Sequence, residues 1–146
     1  MELDIREAQT ADLSSLLQLY ADLHDEEPPE AGAAQASWTA ILADPGHHLL
    51  LGCVDGRAVC SCVLVVVPNL THGARPYGLI ENVVTCSEAR GRGYATSLLR
   101  RAAELAKDAG CYKVMLLTGR KDEATLAFYR KAGFNSEDKT AFIRWL

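Results

Sequence analysis

The sequence is poor in several features that define large classes of protein. No apolar run approaches the roughly 18 residues that a membrane-spanning helix requires. Lys and Arg together number 15 against 19 Asp and Glu, so the net charge is −4 and no basic excess is available to bind nucleic acid. The acidic start of the chain also lacks the apolar stretch of a signal peptide. We therefore expect neither a membrane segment nor a nucleic-acid partner.

Cysteine pairs with metal-ligand spacing are also absent. The five cysteines form no Cys-x-x-Cys motif, and an odd number does not suit a disulfide framework. Cys60 and Cys62 lie two residues apart in an apolar run, so they point the same way from a strand and are expected to pack as small hydrophobic side chains. His47, His48 and His72 have no ligating partners at recognisable spacing. The sequence therefore predicts no metal site and a reduced, cytoplasmic protein.

What the chain does contain is enough apolar surface for one core. Its 146 residues suit a single domain spanning 1–146, and a hydrophobic content of 49% can fill that core. Periods of 3.6 and 2 residues alternate along the chain and predict a mixed α/β sheet with helices on both faces. Strands are expected at 3–6, 47–54, 57–67, 77–85, 111–117, from Phe134, and at 141–146. Helices are expected from Leu13 to the prolines at 28 and 29, with Thr10 as N-cap, then around Trp38 to 44–46, and at 95–109 and 122–131; 30–36 and 68–76 are predicted loops.

The most informative stretch runs from residue 79 to residue 109. An apolar strand ending at Thr85 leads into a turn rich in glycine and arginine. An amphipathic helix follows the turn, and Gly110 ends this helix. A helix N-terminus exposes backbone N–H groups and carries partial positive charge, so a glycine-rich turn there can cradle a phosphate. Arg90 and Arg92 add formal positive charge. The stretch therefore predicts an anion site.

The same turn has other interpretations. A tight turn with solvated arginines gives the same pattern without any ligand. Nucleotide-binding folds fit less well, because the turn comes late in the chain and the Lys-Ser/Thr pair of a Walker motif is missing.

Two motifs in the expected order resemble those of the GCN5-related N-acetyltransferase (GNAT) superfamily. The turn resembles the family's Gln/Arg-x-x-Gly-x-Gly/Ala signature, and a later segment resembles its Tyr-x-x-x-Gly-Phe pattern. The residues concerned are Arg90-Gly91-Arg92-Gly93-Tyr94-Ala95 and Phe128-Tyr129-Arg130-Lys131-Ala132-Gly133-Phe134. The strand Ile80-Glu81-Asn82-Val83-Val84 is also similar to that of acetyltransferases of amino-sugar phosphates and aminoalkylphosphonates. The resemblance implies a central mixed, largely antiparallel sheet.

The resemblance also implies a reaction, the transfer of acetyl from acetyl-CoA to a primary amine by direct attack. It implies that the backbone N–H groups of residues 90–95 hold the pyrophosphate, with Arg92 adding a contact, and that Val83 and Val84 pair with the pantetheine arm. It marks Tyr129 as the general acid for the leaving thiolate. Glu81 is the leading candidate for the base, because a carboxylate within an apolar strand is costly unless it is paired or hydrated.

The candidate residues have alternatives. Glu81 can be a salt-bridge partner or a clamp for the substrate ammonium, and Tyr129 can pack on the inner side of its helix and donate to a backbone carbonyl. Asp122 stands where many family members have an asparagine that contacts the cofactor arm. We expect it to cap the helix while losing or altering that contact.

The acceptor and the assembly stay open. Acidic residues at 22–27 favour a cationic amine, whereas His72 and Arg75 favour a phosphate or phosphonate tail. A protein or peptide lysine or N-terminal acetyltransferase and a non-catalytic acyl-CoA-binding module are the alternatives to a small-molecule enzyme. The apolar side chains of Phe142, Ile143 and Trp145 predict either a homodimer through the 141–146 strand or packing of that strand within its own chain.

Overall fold

Five strands form one sheet whose spatial order follows the chain, from β1 to β5. The computed structural model describes residues 2–23 and 27–146. The elements are β1 (Asp4–Glu7), α1 (Leu13–Tyr20), α2 (Ala31–Ala43), β2 (His47–Val54), β3 (Arg57–Val67), the single turn α3 (Thr71–Ala74), β4 (Tyr77–Thr85), α4 (Tyr94–Asp108), β5 (Val114–Leu116) and α5 (Glu123–Lys131). Neighbouring strands are antiparallel except β4 and β5, which run parallel. The predicted mixed, largely antiparallel sheet is confirmed.

The β2–β3 hairpin forms the centre of the sheet. Its turn consists of Asp55 and Gly56, with φ of 50° and 77°. Two left-handed residues match the twist of a tight hairpin, which is why Asp-Gly predicted it from the sequence. Residues 59–64 of β3 are all buried, as expected of an interior strand covered on both faces.

Helix α4 packs against β2, β3 and β4. Its apolar stripe is fully buried at Leu98, Leu99, Ala102 and Ala106. Gly78 on β4 allows the close approach, because a Cβ there would lie 3.0 Å from Leu64 Cδ1 and 3.5 Å from Ala106 Cβ. None of the helices within 2–23 and 27–146 combines the length and the hydrophobicity needed to cross a membrane.

The N-terminal half departs from two predictions. Residues 30–36 do not form a loop, because α2 already starts at Ala31. The Glu30 carboxylate caps this helix by accepting from Gly32 N (2.8 Å) and Ala33 N (2.9 Å), and the alanines that follow are strong helix formers. Helix α1 ends at Tyr20, earlier than predicted, and its N-cap is Asp12 rather than Thr10, which starts a 3₁₀ turn before the helix. Residues 24–26, near the predicted helix end, lie outside the described residues.

The C-terminal part departs as well. Strand β5 is shorter than the predicted 111–117, since regular pairing with β4 starts only at Val114. Before it, Tyr112 N donates to Pro76 O (3.0 Å), just ahead of β4. Over the described residues no strand follows α5, so the strands predicted from Phe134 and at 141–146 are wrong for the single chain. The side chains of Phe142 and Trp145 are 91% and 85% exposed, so the terminal segment does not pack within its own chain. A strand needs a neighbour for its backbone groups, and this segment meets none.

Candidate active site

A gap between β4 and β5 is the first feature of the candidate site. The two strands pair only at Gly78–Val114, Leu79–Met115 and Ile80–Leu116. Strand β4 continues to Thr85 with β3 as its neighbour on the other side. Within the described part of the chain, residues 81–85 therefore have no strand on the β5 side. An extended ligand can pair with such an open strand edge through main-chain hydrogen bonds.

A β-bulge lies where this gap begins. Val63 pairs with Glu81 and Ser61 pairs with Val84, so Asn82 and Val83 share one position opposite Cys62. Asn82 has a φ of 52°. The side chains of Glu81 and Asn82 are both exposed, which breaks the alternation of the strand. Val83 is half-buried and Val84 buried, so their side chains belong to the core and only their backbone is available to a ligand.

A glycine turn after β4 leads into α4 at the open end of the gap. Gly91 and Gly93 have φ of 77° and 78°, and Gly93 is the N-cap of α4. A Cβ at either glycine would meet no atom within 4 Å, so conformation rather than crowding demands glycine here. Tyr94 and Ala95 begin the helix, where the first N–H groups lack helical partners. A turn of this geometry can bind a phosphate group, and the anion site stays a prediction.

The two arginines of the turn differ in what they contact. Arg90 Nε donates to Thr85 O (3.2 Å), which ties the turn to the end of β4. Arg92 is exposed and lines a cavity of about 420 Å³ together with Arg57, Glu88 and Tyr94. Arg90 therefore holds the turn against the end of β4, whereas the Arg92 side chain lines the cavity.

Tyr129 lies on α5 with its ring half-buried. The ring meets those of Phe128 (centroids 5.0 Å apart) and Phe134 (6.4 Å) edge to face. Burial, with a smaller contribution from Cys62, raises the pKa of the Tyr129 phenol above its ordinary value of 10.0, so the hydroxyl carries its proton at neutral pH. Among the hydrogen bonds of residues 2–23 and 27–146, the hydroxyl donates to no carbonyl, so the purely structural interpretation lacks its hydrogen bond.

Glu81 does not have the environment that the sequence predicted. Its side chain is exposed at the bulge and forms no ion pair with the described residues. The cost of burying a carboxylate, which pointed to Glu81, is therefore absent, because the bulge turns the side chain into water. Glu81 stays a candidate for the base because of its position, one residue beyond the last β4–β5 pair.

Asp122 caps α5, as predicted. Its carboxylate accepts from Thr125 N (3.1 Å) and Thr125 Oγ1 (3.0 Å), and from Arg120 Nε (2.9 Å). These donors, the Thr125 hydroxyl foremost, lower the pKa of Asp122 to about 2. The oxygens thus already have partners in the protein, and the cap is established independently of any ligand.

The basic and the acidic residues that the sequence suggested for binding the acceptor lie in different parts of the fold. Arg75 donates to Gly110 O (3.3 Å) and Cys111 O (3.2 Å), and the His72 ring stacks on Tyr112 at 3.9 Å. Both residues thus hold the connection around the start of β4, which is about 13 Å from Glu81 at 3.3 Å per strand residue. This placement argues against a phosphate contact in a short acceptor. In the acidic patch, Asp22 and Glu27 are exposed, and positions 25 and 26 lie outside the described residues.

Sequence reasoning missed two residues of this region. Asn82 was seen only as part of a strand, although asparagine is depleted in strands and tolerates positive φ, which together signal a bulge. Tyr20 was assigned only to the apolar stripe of α1. In the structure burial raises the pKa of its phenol to about 12, and Asn82 has a smaller, opposite effect.

Comparison with known proteins gives a consistent result. The model of the acetyltransferase (GNAT) family matches residues 12–134. The chain is 34% identical over 141 residues to glucosamine 6-phosphate N-acetyltransferase of Trypanosoma brucei brucei, covering 95% of this chain and 93% of that protein. It is 30% identical over 131 residues to aminoalkylphosphonate N-acetyltransferase of Salmonella typhimurium, covering 90% and 84%. A crystal structure of a Trypanosoma brucei acetyltransferase has 33% identity and a TM-score of 0.83 and covers 99% of this chain and 100% of that one.

Proposed function

Because the chain belongs to the acetyltransferase (GNAT) family and is an N-acetyltransferase, we propose that it transfers acetyl from acetyl-CoA to the primary amine of a small molecule that carries a phosphate or phosphonate group. The observation that carries the proposal is the gap between β4 and β5 with a glycine turn at its open end. An extended pantetheine arm fits along a strand edge, and its pyrophosphate fits at the N-terminus of α4.

The glycine turn and the end of β4 provide the groups that bind acetyl-CoA. The backbone N–H groups of residues 90–95 and the Arg92 side chain hold the pyrophosphate, which is dianionic and suits both. Backbone groups of Val83 and Val84 pair with the pantetheine arm, and one N–H there polarises the thioester carbonyl. Asp122 stands where many family members have an asparagine that contacts this arm; a carboxylate whose oxygens are already bonded offers less to the arm than an amide would.

The chemical step moves protons off the amine and onto the departing thiolate. The amine nitrogen attacks the carbonyl carbon of the thioester, and the C–S bond breaks. The Tyr129 hydroxyl gives its proton to the departing thiolate, a role that suits a phenol held neutral by burial. A free amine with a pKa near 10 is mostly protonated at pH 7, so one proton must pass to a base before attack, and Glu81 at the mouth of the gap is the proposed acceptor. After attack the nitrogen loses a second proton, which replaces the one that Tyr129 gives to the sulfur.

The nature of the acceptor is inferred from the relatives. Two relatives that cover most of the chain are named for amines bearing phosphate or phosphonate, glucosamine 6-phosphate and aminoalkylphosphonates. The exposed Glu81 suits the ammonium end of such a molecule. The anionic end requires cationic groups nearer to the bulge than His72 and Arg75.

The test measures free coenzyme A by chromatography after incubation with acetyl-CoA and a panel of amines. The panel contains amino-sugar phosphates, aminoalkylphosphonates, polyamines, amino acids and lysine peptides. We expect turnover with the phosphorylated or phosphonate amines and none above hydrolysis with the others. Turnover on peptides alone would replace the proposal with a protein acetyltransferase, and binding of acetyl-CoA without any turnover would favour an acyl-CoA-binding module.

Two further proposals concern location and assembly. We propose that the enzyme acts in the reducing cytoplasm, which suits five free cysteines. We also propose that it forms a homodimer through residues 141–146, because four large apolar side chains at this end are exposed: Phe142, Ile143, Trp145 and Leu146.

A further inference from the structure

The terminal arm, residues 139–146, lies free of the body of the chain. It follows a turn in which Asn135 Oδ1 accepts from Glu137 N and Asp138 N, both at 3.1 Å. All residues of the arm are exposed, and they form neither a helix nor a strand. An extended segment of this length spans about 26 Å, so the arm can reach a second molecule.

The composition of the arm is that of a strand rather than of a solvated tail. Aromatic and β-branched residues, which strands favour, make up half of it: Thr140, Phe142, Ile143 and Trp145. Two arms contribute four aromatic side chains, which bury roughly 600–1,000 Å² when covered. Ile143 and Leu146 add to this area, so an exchange of arms between two copies reaches the size of a stable interface, which begins at about 1,200 Å².

The sheet ends in two edges, and the edge at β1 is protected by charge. Its side chains have partners already, because Arg6 Nη1 donates to Asp12 Oδ2 (2.7 Å) and Glu7 pairs with His48. Charged side chains on an edge strand hinder the addition of a further strand. The β1 edge is therefore a poor place for the arm.

The edge at β5 has no such protection. Val114–Leu116 are uncharged and only partly buried, and within the described residues they pair with β4 alone. Leu117, directly after the strand, is 49% exposed. Strand β5 is also one wall of the gap in the candidate site, although three residue pairs are all that join it to β4. A strand added on its outer side would hold this wall in place.

We propose that the terminal arm pairs as a strand with β5 of a second copy, whose own arm pairs with β5 of the first. Two identical arms and two identical edges close the assembly with two-fold symmetry. The inference rests on the proposed function and its homodimer. It adds which edge receives the arm, and that the acetyl-transfer site of each protomer is complete only when the arm of the other holds β5.

A proline in the arm separates strand pairing from apolar contact. Ile143→Pro removes a backbone N–H and does not fit a paired strand, but it keeps Phe142 and Trp145. Ser136→Pro is the matched control, because it places proline after Asn135 in the turn, a position that proline favours. In sedimentation at micromolar concentration we expect a dimer for the parent and for Ser136→Pro, and a monomer for Ile143→Pro. A dimeric Ile143→Pro protein overturns the proposal.

Hydrogen exchange locates the contact without any turnover. In the parent dimer, amides of residues 139–146 and 114–117 should exchange at least about tenfold more slowly than in Ile143→Pro, whereas those of residues 4–7 should be equal in both. The difference should vanish when the parent is diluted to the monomer. Absent protection, protection that persists in the monomer because the arm folds onto its own chain, or protection of residues 4–7 instead overturns the proposal.

Turnover tests the dependence of the site on the second copy. The activity per chain should fall as the parent dissociates on dilution, and Ile143→Pro should have a kcat lower by about tenfold or more, because a small displacement of the wall misaligns the reacting groups. Ser136→Pro should match the parent. If the parent acetylates no amine, the proposed function fails while sedimentation and exchange still decide where the arm binds. A parent monomer as active as the dimer overturns the need for the second arm.

Discussion

Tyr129 is the residue whose proposed role can be tested by removing a single atom. Tyr129→Phe keeps the ring between Phe128 and Phe134, so packing is conserved while the proton donor is lost. We expect kcat to fall roughly 10²–10⁴-fold with the KM for acetyl-CoA unchanged. The measurement is steady-state kinetics with the best amine of the panel. A variant as fast as the parent would leave Tyr129 as a packing residue.

The pH dependence of kcat in the parent and in Tyr129→Phe is a second test of this role. The acid must be protonated to act, and burial raises the pKa of Tyr129 above 10.0. Ionisation of Tyr129 therefore costs the parent no activity at neutral pH and reduces kcat only as the pH rises beyond 10. This alkaline decline is absent in Tyr129→Phe.

At the residue scale, local chemistry was readable from the sequence and the environment of a side chain was not. The Asp122 cap followed from an aspartate just before a helical pattern, because its hydrogen bonds go to residues three positions away. Glu81 was interpreted as a carboxylate within an apolar strand. The bulge that exposes it arises from pairing with β3, a contact between distant parts of the chain.

At the scale of elements, the packing of β2 on β3 depends on a glycine. A Cβ on Gly52 would lie 2.4 Å from Cys60 Sγ and 3.1 Å from Leu3 Cδ1. Gly52→Ala is therefore expected to lower the free energy of unfolding by about 1–3 kcal/mol, the usual cost of overpacking. In the double variant Gly52→Ala with Cys60→Ala the thiol is gone, so the loss is smaller than the sum of the two single losses.

Urea denaturation measures the free energy of unfolding of both variants, and a second glycine-to-alanine substitution is the control. Gly119 has no atom within 4 Å of its would-be Cβ and no left-handed φ, so Gly119→Ala should leave stability nearly unchanged or raise it slightly. A Gly52→Ala protein as stable as the parent would show that the strands separate to admit the methyl group without cost.

The predicted elements were right where a pattern and its end signals agreed. Asp55-Gly56 fixed the hairpin and Gly110 fixed the end of α4, because each needs only the conformational freedom of its own residues. Residues 30–36 were assigned to a loop for their small side chains. The capping carboxylate of Glu30 shows why a helix forms instead, and glutamate is not among the preferred N-cap residues that announce a helix.

At the scale of the molecule, the exposed terminal segment predicts a dimer. The chain has a mass of 15.9 kDa, and we expect sedimentation to give twice this value at micromolar concentration. Replacing Phe142 and Trp145 by serine removes the two most exposed aromatic side chains and should yield the monomer. Leu70→Ser is the control, because Leu70 is also 91% exposed but lies in the loop after β3. A parent protein that sediments as a monomer throughout a dilution series contradicts the proposed dimer.

The order of strands and helices was predictable because sequential elements lie side by side in this sheet. The sequence also marked 141–146 as strand-like. Whether such a segment forms a strand depends on an edge to pair with, and a single chain contains no information on a neighbouring copy.

The burial of the cysteines has a practical consequence for following this enzyme. All five are free and buried, and burial raises the pKa of Cys60 to about 11 and that of Cys62 to about 12. Because all five thiols are buried, we expect a chromogenic disulfide reagent to react slowly with the folded chain, so that the early colour reports the coenzyme A released by turnover. In denaturant the same reagent counts five thiols per chain. One reagent thus measures catalysis in the native protein and, in denaturant, the rate at which the core unfolds.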